Sequence, residues 1–285
     1  MNSWQIGEVK ISCIVETVLP VAYYEKYPFM REATPQALQE IPWLYPNFVS
    51  PEGVLQLSIH ALLVEAPGLR LLVDTCIGND KPRKITGNES LHTEFLQDLK
   101  ATGCPRETID IVVCTHLHVD HVGWNTMKDG DQWVPTFSNA RYLIGRREYE
   151  YWSADTSEDQ VPVMQDSVTP IFDSGLADLV ESEHIVSPHI RLFPTPGHTP
   201  GHVSVMIESE GETAMITGDT MHHPCQIARP DWSVTFDEDQ AAAASCRKSL
   251  LEDVADSSVL VIGTHFASPT AGKIIRDGDT YKFVS

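Results

Sequence analysis

Short apolar runs, each closed by a glycine, a proline or a polar side chain, recur along this chain and divide it into alternating strand-like and helix-like segments. Residues 5–17 alternate or run apolar, residues 58–65 and 69–74 are apolar almost throughout, and a Pro67-Gly68 step joins the last two; these read as three strands with a turn between the second and third. Residues 109–114 (IDIVVC) are apolar apart from Asp110, the pattern of a strand buried on both faces. Residues 190–193, 214–216 and 259–263 add further short strands. Between them lie helical patterns. Residues 91–100 carry apolar side chains at 91, 95, 96 and 99, with Ser90 as N-cap and Gly103 beyond the end. A strand at 141–144 leads into a charged helix at 146–152, and residues 239–254 gather Ala243, Cys246, Leu250 and Val254 on one face of a covering helix. Two βα-rich halves of this kind point to an α/β fold.

One segment does not follow this plan. Residues 20–53 hold Tyr23, Tyr24, Tyr27, Phe29, Trp43, Tyr45 and Phe48 among prolines at 20, 28, 35, 42 and 46, too aromatic for a disordered loop and too broken by proline for one long helix. It is expected to pack as an insertion, either walling a substrate cleft or meeting a second copy in a homodimer. The alternative is an extra lid without contact to substrate.

Where the apolar runs end, the chemistry begins. Residues 115–121 read THLHVDH, placing His116, His118, Asp120 and His121 on the loop that follows the strand at 109–114. In a tight loop, His116 and His118 can face one metal while Asp120 and His121 face another, whereas a helix would offer only i, i+4 partners. Four donors do not close two metal sites, and three further strand ends supply more: His198 in PGHTPGH (196–202), Asp219 in TGD (217–219) and His265 in GTH (263–265). Imidazole and carboxylate without thiolate suit zinc, and also iron, manganese or cobalt.

These motifs, with LLVDT at 71–75 before them, occur in the order found in metallo-β-lactamase-fold hydrolases, which the chain resembles over residues 70–265. The resemblance implies a four-layer αββα sandwich of two similar halves, with all 285 residues in a single domain. It implies one metal on His116, His118 and His198, a second on Asp120, His121 and His265, and Asp219 bridging them. Asp74 would orient a ligand histidine, the alternative being a turn-forming role; His202 would likewise orient a ligand. Asp219 stands where the best-known zinc β-lactamases carry cysteine, which directs the reading toward the lactonase, glyoxalase II and phosphotriesterase-like branches. Lactonases of the family place a tyrosine three residues after the bridging aspartate. Here that position is His222, an imidazole able to donate a hydrogen bond to an oxyanion or protonate an alkoxide.

The expected activity is therefore that of a zinc-dependent binuclear hydrolase in which a hydroxide between the metals attacks an ester or lactone carbonyl, with Asp120 aligning it and His222 assisting. Tyr23, Phe29, Trp43, Phe48, Trp232 and Phe236 would contact an apolar part of the small-molecule substrate. The competing readings are a phosphotriesterase, a glyoxalase II-like thioester hydrolase and, least favoured, a non-catalytic metal-dependent ligand sensor. A net charge of -20 argues against nucleic acid, which is held by lysine and arginine. No stretch reaches the roughly 18 apolar residues of a membrane span, and residues 1–4 lead straight into strand-like sequence, so the expected compartment is the cytoplasm. The six cysteines show no C-x-x-C spacing and read as buried or free thiols. His92, His184 and His189 are expected at the surface. His60 is open between core and site.

Overall fold

The structure, a computed structural model, describes residues 2–285. It contains two seven-stranded mixed sheets and divides into two compact units, one of residues 3–17 and 59–184 and the other of residues 2, 18–58 and 185–285. The α/β class read from the sequence is present.

The first sheet runs in the order Ser3–Ile6, Val9–Val21, Leu55–Ala66, Leu69–Val73, Ile111–Cys114, Arg141–Gly145, Ala177–Val180. Its first strands are antiparallel, but Leu69–Val73, Ile111–Cys114, Arg141–Gly145 and Ala177–Val180 are parallel, with Val73 opposite Val113 and Cys114 opposite Ile144. Parallel neighbours in register end at the same edge. Asp74, the loop at 115–121 and the helix Arg146–Ser153 therefore all start from one edge, the usual place for chemistry in open α/β sheets.

That edge is tied together by buried polar groups. The Glu16 carboxylate, lifted above the usual carboxylate range by burial, accepts from the Ile77 and Gly78 amides at 2.8 and 3.1 Å and from the Trp124 indole at 2.6 Å. The Lys81 ammonium, fully buried, donates to the Gly123 and Thr126 carbonyls at 2.8 and 2.9 Å beneath the face of Trp133. Gly123 is required by close approach: a Cβ there would lie 1.8 Å from the Ile77 carbonyl oxygen.

The helix expected at 91–100 begins later, at Phe95, and ends at Ala101. Asn79 explains the shift: its side chain accepts from the Thr93 amide at 2.8 Å and donates to the Thr93 carbonyl at 3.0 Å, holding residues 91–93 out of the helix. Ser90 lies in a two-residue strand and caps nothing.

The second sheet runs in chain order through Ile185–Ser187, Ile190–Pro194, Val203–Ser209, Glu212–Ile216, Leu260–Ile262, Ala271–Asp277 and Thr280–Val284. Glu212–Ile216 and Leu260–Ile262 are parallel and joined through the helix Gln240–Val254, whose N-cap Asp239 accepts from the Ala242 amide at 2.9 Å. Ile190–Pro194 points the same way, two antiparallel steps removed. The loops bearing His198, Asp219 and His265 thus leave this sheet at a common edge.

Residues 20–53 are integral to the second unit. Thr34 caps the short helix Pro35–Gln39, and Met30, Leu38, Ile41, Leu44, Phe48 and Val49 join Phe266, Ile274 and Phe283 in its apolar core. None of the six cysteines is in a disulfide, and only Cys246 has appreciable exposure. Among the described residues no helix is long and apolar enough to cross a membrane. His60 is buried within its strand, His92 is exposed, and His184 and His189 are half-buried.

Candidate metal centre

In the first unit, the carboxylate of Asp74 organises the histidine loop. Its Oδ1 accepts from the Thr115 amide at 2.8 Å, and its Oδ2 accepts from the Thr115 hydroxyl at 2.8 Å and lies 2.9 Å from His121 Nδ1. Asp74 itself has φ 58°, the left-handed conformation that aspartate tolerates better than most residues. Because the Thr115 hydroxyl spends its proton on Asp74, its oxygen is the acceptor toward His116 Nδ1 at 3.1 Å. Both rings are thereby set with the proton on Nδ1 and the lone pair on Nε2. His116 Nε2 lies 3.1 Å from His118 Nδ1, and His121 Nε2 lies 3.6 Å from Asp120 Oδ1. His116 and His121 are fully buried; His118 and Asp120 are half-buried.

The second unit repeats the device with different acceptors. His198 Nδ1 lies 2.8 Å from Asp237 Oδ1, both side chains about 1% exposed, and His265 Nδ1 lies 3.0 Å from the Ser58 carbonyl. Burial lifts the Asp237 carboxyl above the usual aspartate range, and the charges of His222 and Arg247 oppose the shift. Around Asp219 Oδ2 stand three imidazole Nε2 atoms, those of His265 and His222 at 3.2 Å and that of His198 at 3.5 Å. Such spacings are those of donor atoms sharing a cation with bonds of about 2.0–2.2 Å. His202 acts on the backbone instead: its Nε2 accepts from the Asp219 amide at 2.8 Å, and its Nδ1 lies 2.8 Å from the Thr195 hydroxyl. A side chain at Gly218 would collide with that ring, its Cβ 2.5 Å from His202 Nε2.

His222 differs from the other histidines of this group. Its ring is buried, yet neither nitrogen makes a hydrogen bond. Its amide is fixed by Gln226, whose Oε1 accepts from the His222 and His223 amides while Nε2 donates to the Trp232 carbonyl. Buried polar atoms without partners are rare and mark a place for an ion or ligand. The donors His198, Asp219 and His222 form a compact group able to hold a cation, so the residues present fit a divalent metal.

The aromatic residues separate into two sets. Phe29 and Phe236 pack at 5.3 Å and both lie against His222, at 6.0 and 5.4 Å; Phe236 is also 5.9 Å from His198 and remains 45% exposed. Phe48 instead sits inside the core, edge-on to His223, Phe266 and Phe283, and Trp43 and Trp232 pack against that core. The Tyr23 hydroxyl donates to the Arg31 carbonyl at 3.2 Å, and its ring borders a small recess with Phe29. Expectation had grouped all six around the substrate. Within this unit Phe29 and Phe236 reach His222, Phe48 meets His223 inside the apolar core, and Phe29, Trp43 and Trp232 pack against that core.

Three buried groups carry no local sequence signal. Asp237 is 39 residues from His198, and Glu16 is 108 residues from Trp124. Glu148, on a helix read only as charged, is 1% exposed. A buried carboxylate on an otherwise charged helix becomes visible only once its neighbours are known.

The family model described as the metallo-beta-lactamase superfamily matches residues 55–265. The chain is 28% identical over 178 residues to an N-acyl homoserine lactonase of Bacillus sp., an alignment that takes in 57% of this chain and 63% of the relative. The chain thus spans less than two thirds of the length of the curated relatives it matches. A solved structure of AidC, a dizinc quorum-quenching lactonase, superposes with TM-score 0.83 at 20% identity over 99% of this chain and 96% of that one. The hydrolase AbOPH superposes with TM-score 0.81 at 25% identity, again over 99% and 96%.

Proposed function

As a chain that belongs to the metallo-β-lactamase superfamily, the protein is, we propose, a metal-dependent hydrolase of esters or lactones with an apolar portion, holding two divalent cations, zinc foremost. The proposed donors are His116, His118, Asp120, His121, His198, Asp219 and His265. The carrying observation is the common treatment of four histidines. In His116, His121, His198 and His265, Nδ1 is committed to an oxygen acceptor, leaving Nε2 as the donor nitrogen, the usual arrangement of metal-binding histidines. A lactone substrate is favoured because N-acyl homoserine lactonases stand among the relatives.

Bound divalent cations would supply an acidified water and polarise the carbonyl it attacks. The chain's own groups do the rest. Asp120, half-buried and next to the ligand His121, accepts the proton of the attacking water and delivers it to the leaving oxygen. His222, whose Nε2 lies 3.2 Å from Asp219 Oδ2 and whose Nδ1 makes no hydrogen bond, donates to the oxygen on which charge develops. Phe29 and Phe236 present apolar surface beside that imidazole and hold the substrate's hydrocarbon part.

The test is elemental analysis of purified protein followed by a panel of lactones, aryl esters, thioesters, β-lactams and phosphotriesters. Two metals per chain and highest kcat/KM on a lactone or ester are expected. Asp120→Asn should keep the fold and lose about 100-fold or more in turnover. One metal or fewer after loading, or preference for phosphotriesters or thioesters over every ester and lactone, would refute the reading.

A further inference from the structure

The loop that carries His116 and His118 is held at the residue between them by two side chains from outside the loop. The Leu117 amide donates to Glu148 Oε1 at 3.1 Å, and the Leu117 carbonyl accepts from Gln160 Nε2 at 2.9 Å. These two groups belong to different peptide planes: the amide to the plane joining residues 116 and 117, the carbonyl to the plane joining 117 and 118. Each plane is rigid, so holding one atom of each restrains the directions in which the His116 and His118 side chains leave the backbone. Leu117, Glu148 and Gln160 are all buried.

Glu148 is in turn held by Trp152, one turn further along the helix Arg146–Ser153. The Trp152 indole donates to the same Oε1 at 2.6 Å, and its ring centre lies 5.1 Å from that of His118. One side chain therefore fixes the carboxylate and packs on the histidine it serves. Glu148 lies in the first turn of its helix, where exposed backbone amides favour a negative charge, so an ionised carboxylate there is better tolerated than elsewhere in a core. A neutral acceptor would satisfy one backbone amide at lower cost. The carboxylate adds a strong bond to the Leu117 peptide.

We propose that Glu148 and Gln160 are positioning residues that set the geometry, and hence the metal affinity, of the donor pair His116 and His118, with Trp152 holding Glu148 in place. This rests on the metal-dependent reading above. The experiment uses the full chain as wild type, Glu148→Leu, Glu148→Gln, Gln160→Leu and Trp152→Phe. Each is measured for zinc affinity by competition with a chromophoric chelator, for the visible absorption spectrum after cobalt substitution, and for the unfolding midpoint without metal. Glu148→Leu should weaken zinc binding by about 10–100-fold and alter the cobalt spectrum, while Glu148→Gln, whose amide oxygen still accepts both N–H groups, recovers most of the loss. Gln160→Leu and Trp152→Phe should weaken binding less, in the same direction, and they decide the matter if Glu148→Leu does not fold. Wild-type zinc affinity and cobalt spectrum in the folded variants, with only the metal-free midpoint lowered, would overturn the proposal and leave a purely structural clamp. A wild-type chain that holds no divalent metal would overturn the proposed function and this inference with it.

Discussion

Removing the Asp237 carboxylate tests whether the ordering of His198 serves a metal or merely fills space. The Asp237–His198 contact is 2.8 Å between side chains that are each about 1% exposed, and Asp237 Oδ2 makes no hydrogen bond, so a single oxygen carries the interaction. Asp237→Ala leaves His198 Nδ1 without its acceptor and frees the ring to turn. Loss of such a supporting partner costs about 10–100-fold in metal affinity, or about 1.4–2.7 kcal/mol. Asp237→Asn keeps an acceptor oxygen at the same position and gives up only the charge, so its loss should be about tenfold or less. Metal-free stability should respond differently. The carboxylate is unfavourably buried, and its neutral isostere relieves that cost, so the metal-free Asn variant should unfold in urea within about 1 kcal/mol of wild type. Zinc competition on the folded proteins and urea unfolding of the metal-free forms separate the two effects. Wild-type zinc affinity in Asp237→Ala would refute the assignment of His198 as a metal donor ordered by Asp237.

Other outcomes follow from single contacts. Burial lowers Lys81 to about 7, so the unfolded chain holds more protons than the native one between there and the free-lysine value of about 10.4. Wild-type stability relative to Lys81→Met should therefore rise with pH across that window, by up to about 1.4 kcal/mol per unit, in urea midpoints; a flat difference would refute it. Gly123→Ala forces a methyl into the Ile77 carbonyl and should cost about 3 kcal/mol or more, or prevent folding, as read by circular dichroism and thermal unfolding. His222→Ala should lower kcat about tenfold or more with KM little changed, whereas Phe236→Ala should chiefly raise KM for apolar substrates; steady-state kinetics on the best ester or lactone decides both.

What could be read from the sequence was local. Residues 115–121 announce themselves because their donors lie within one loop, and the strands at 69–73 and 111–114 show as apolar runs because parallel strands are covered on both faces. The boundary at Phe95 was hidden because the group that delays the helix, Asn79, lies 14 residues upstream of Thr93. Asp237, Glu148 and Glu16 were hidden for the same reason on a larger scale, since each is a carboxylate whose distant partner is supplied by folding. The aromatic residues at 20–53 were recognised as needing to pack, but composition alone does not divide Phe29, beside a histidine, from Phe48, within the core.

The thiols have a practical bearing on all of these experiments. Cys13, Cys76, Cys104, Cys114 and Cys225 are each no more than 2% exposed, and burial raises Cys114 to about 12. A maleimide offered to the native protein therefore finds one reachable sulfur, that of Cys246 on the helix Gln240–Val254, slowly because its thiol is also pushed up by burial. A fluorophore there provides an optical label at one defined position without any engineered cysteine. The other five sulfurs become a clock for opening: their modification rate under native conditions counts the local and global excursions that expose them, on one unaltered sequence.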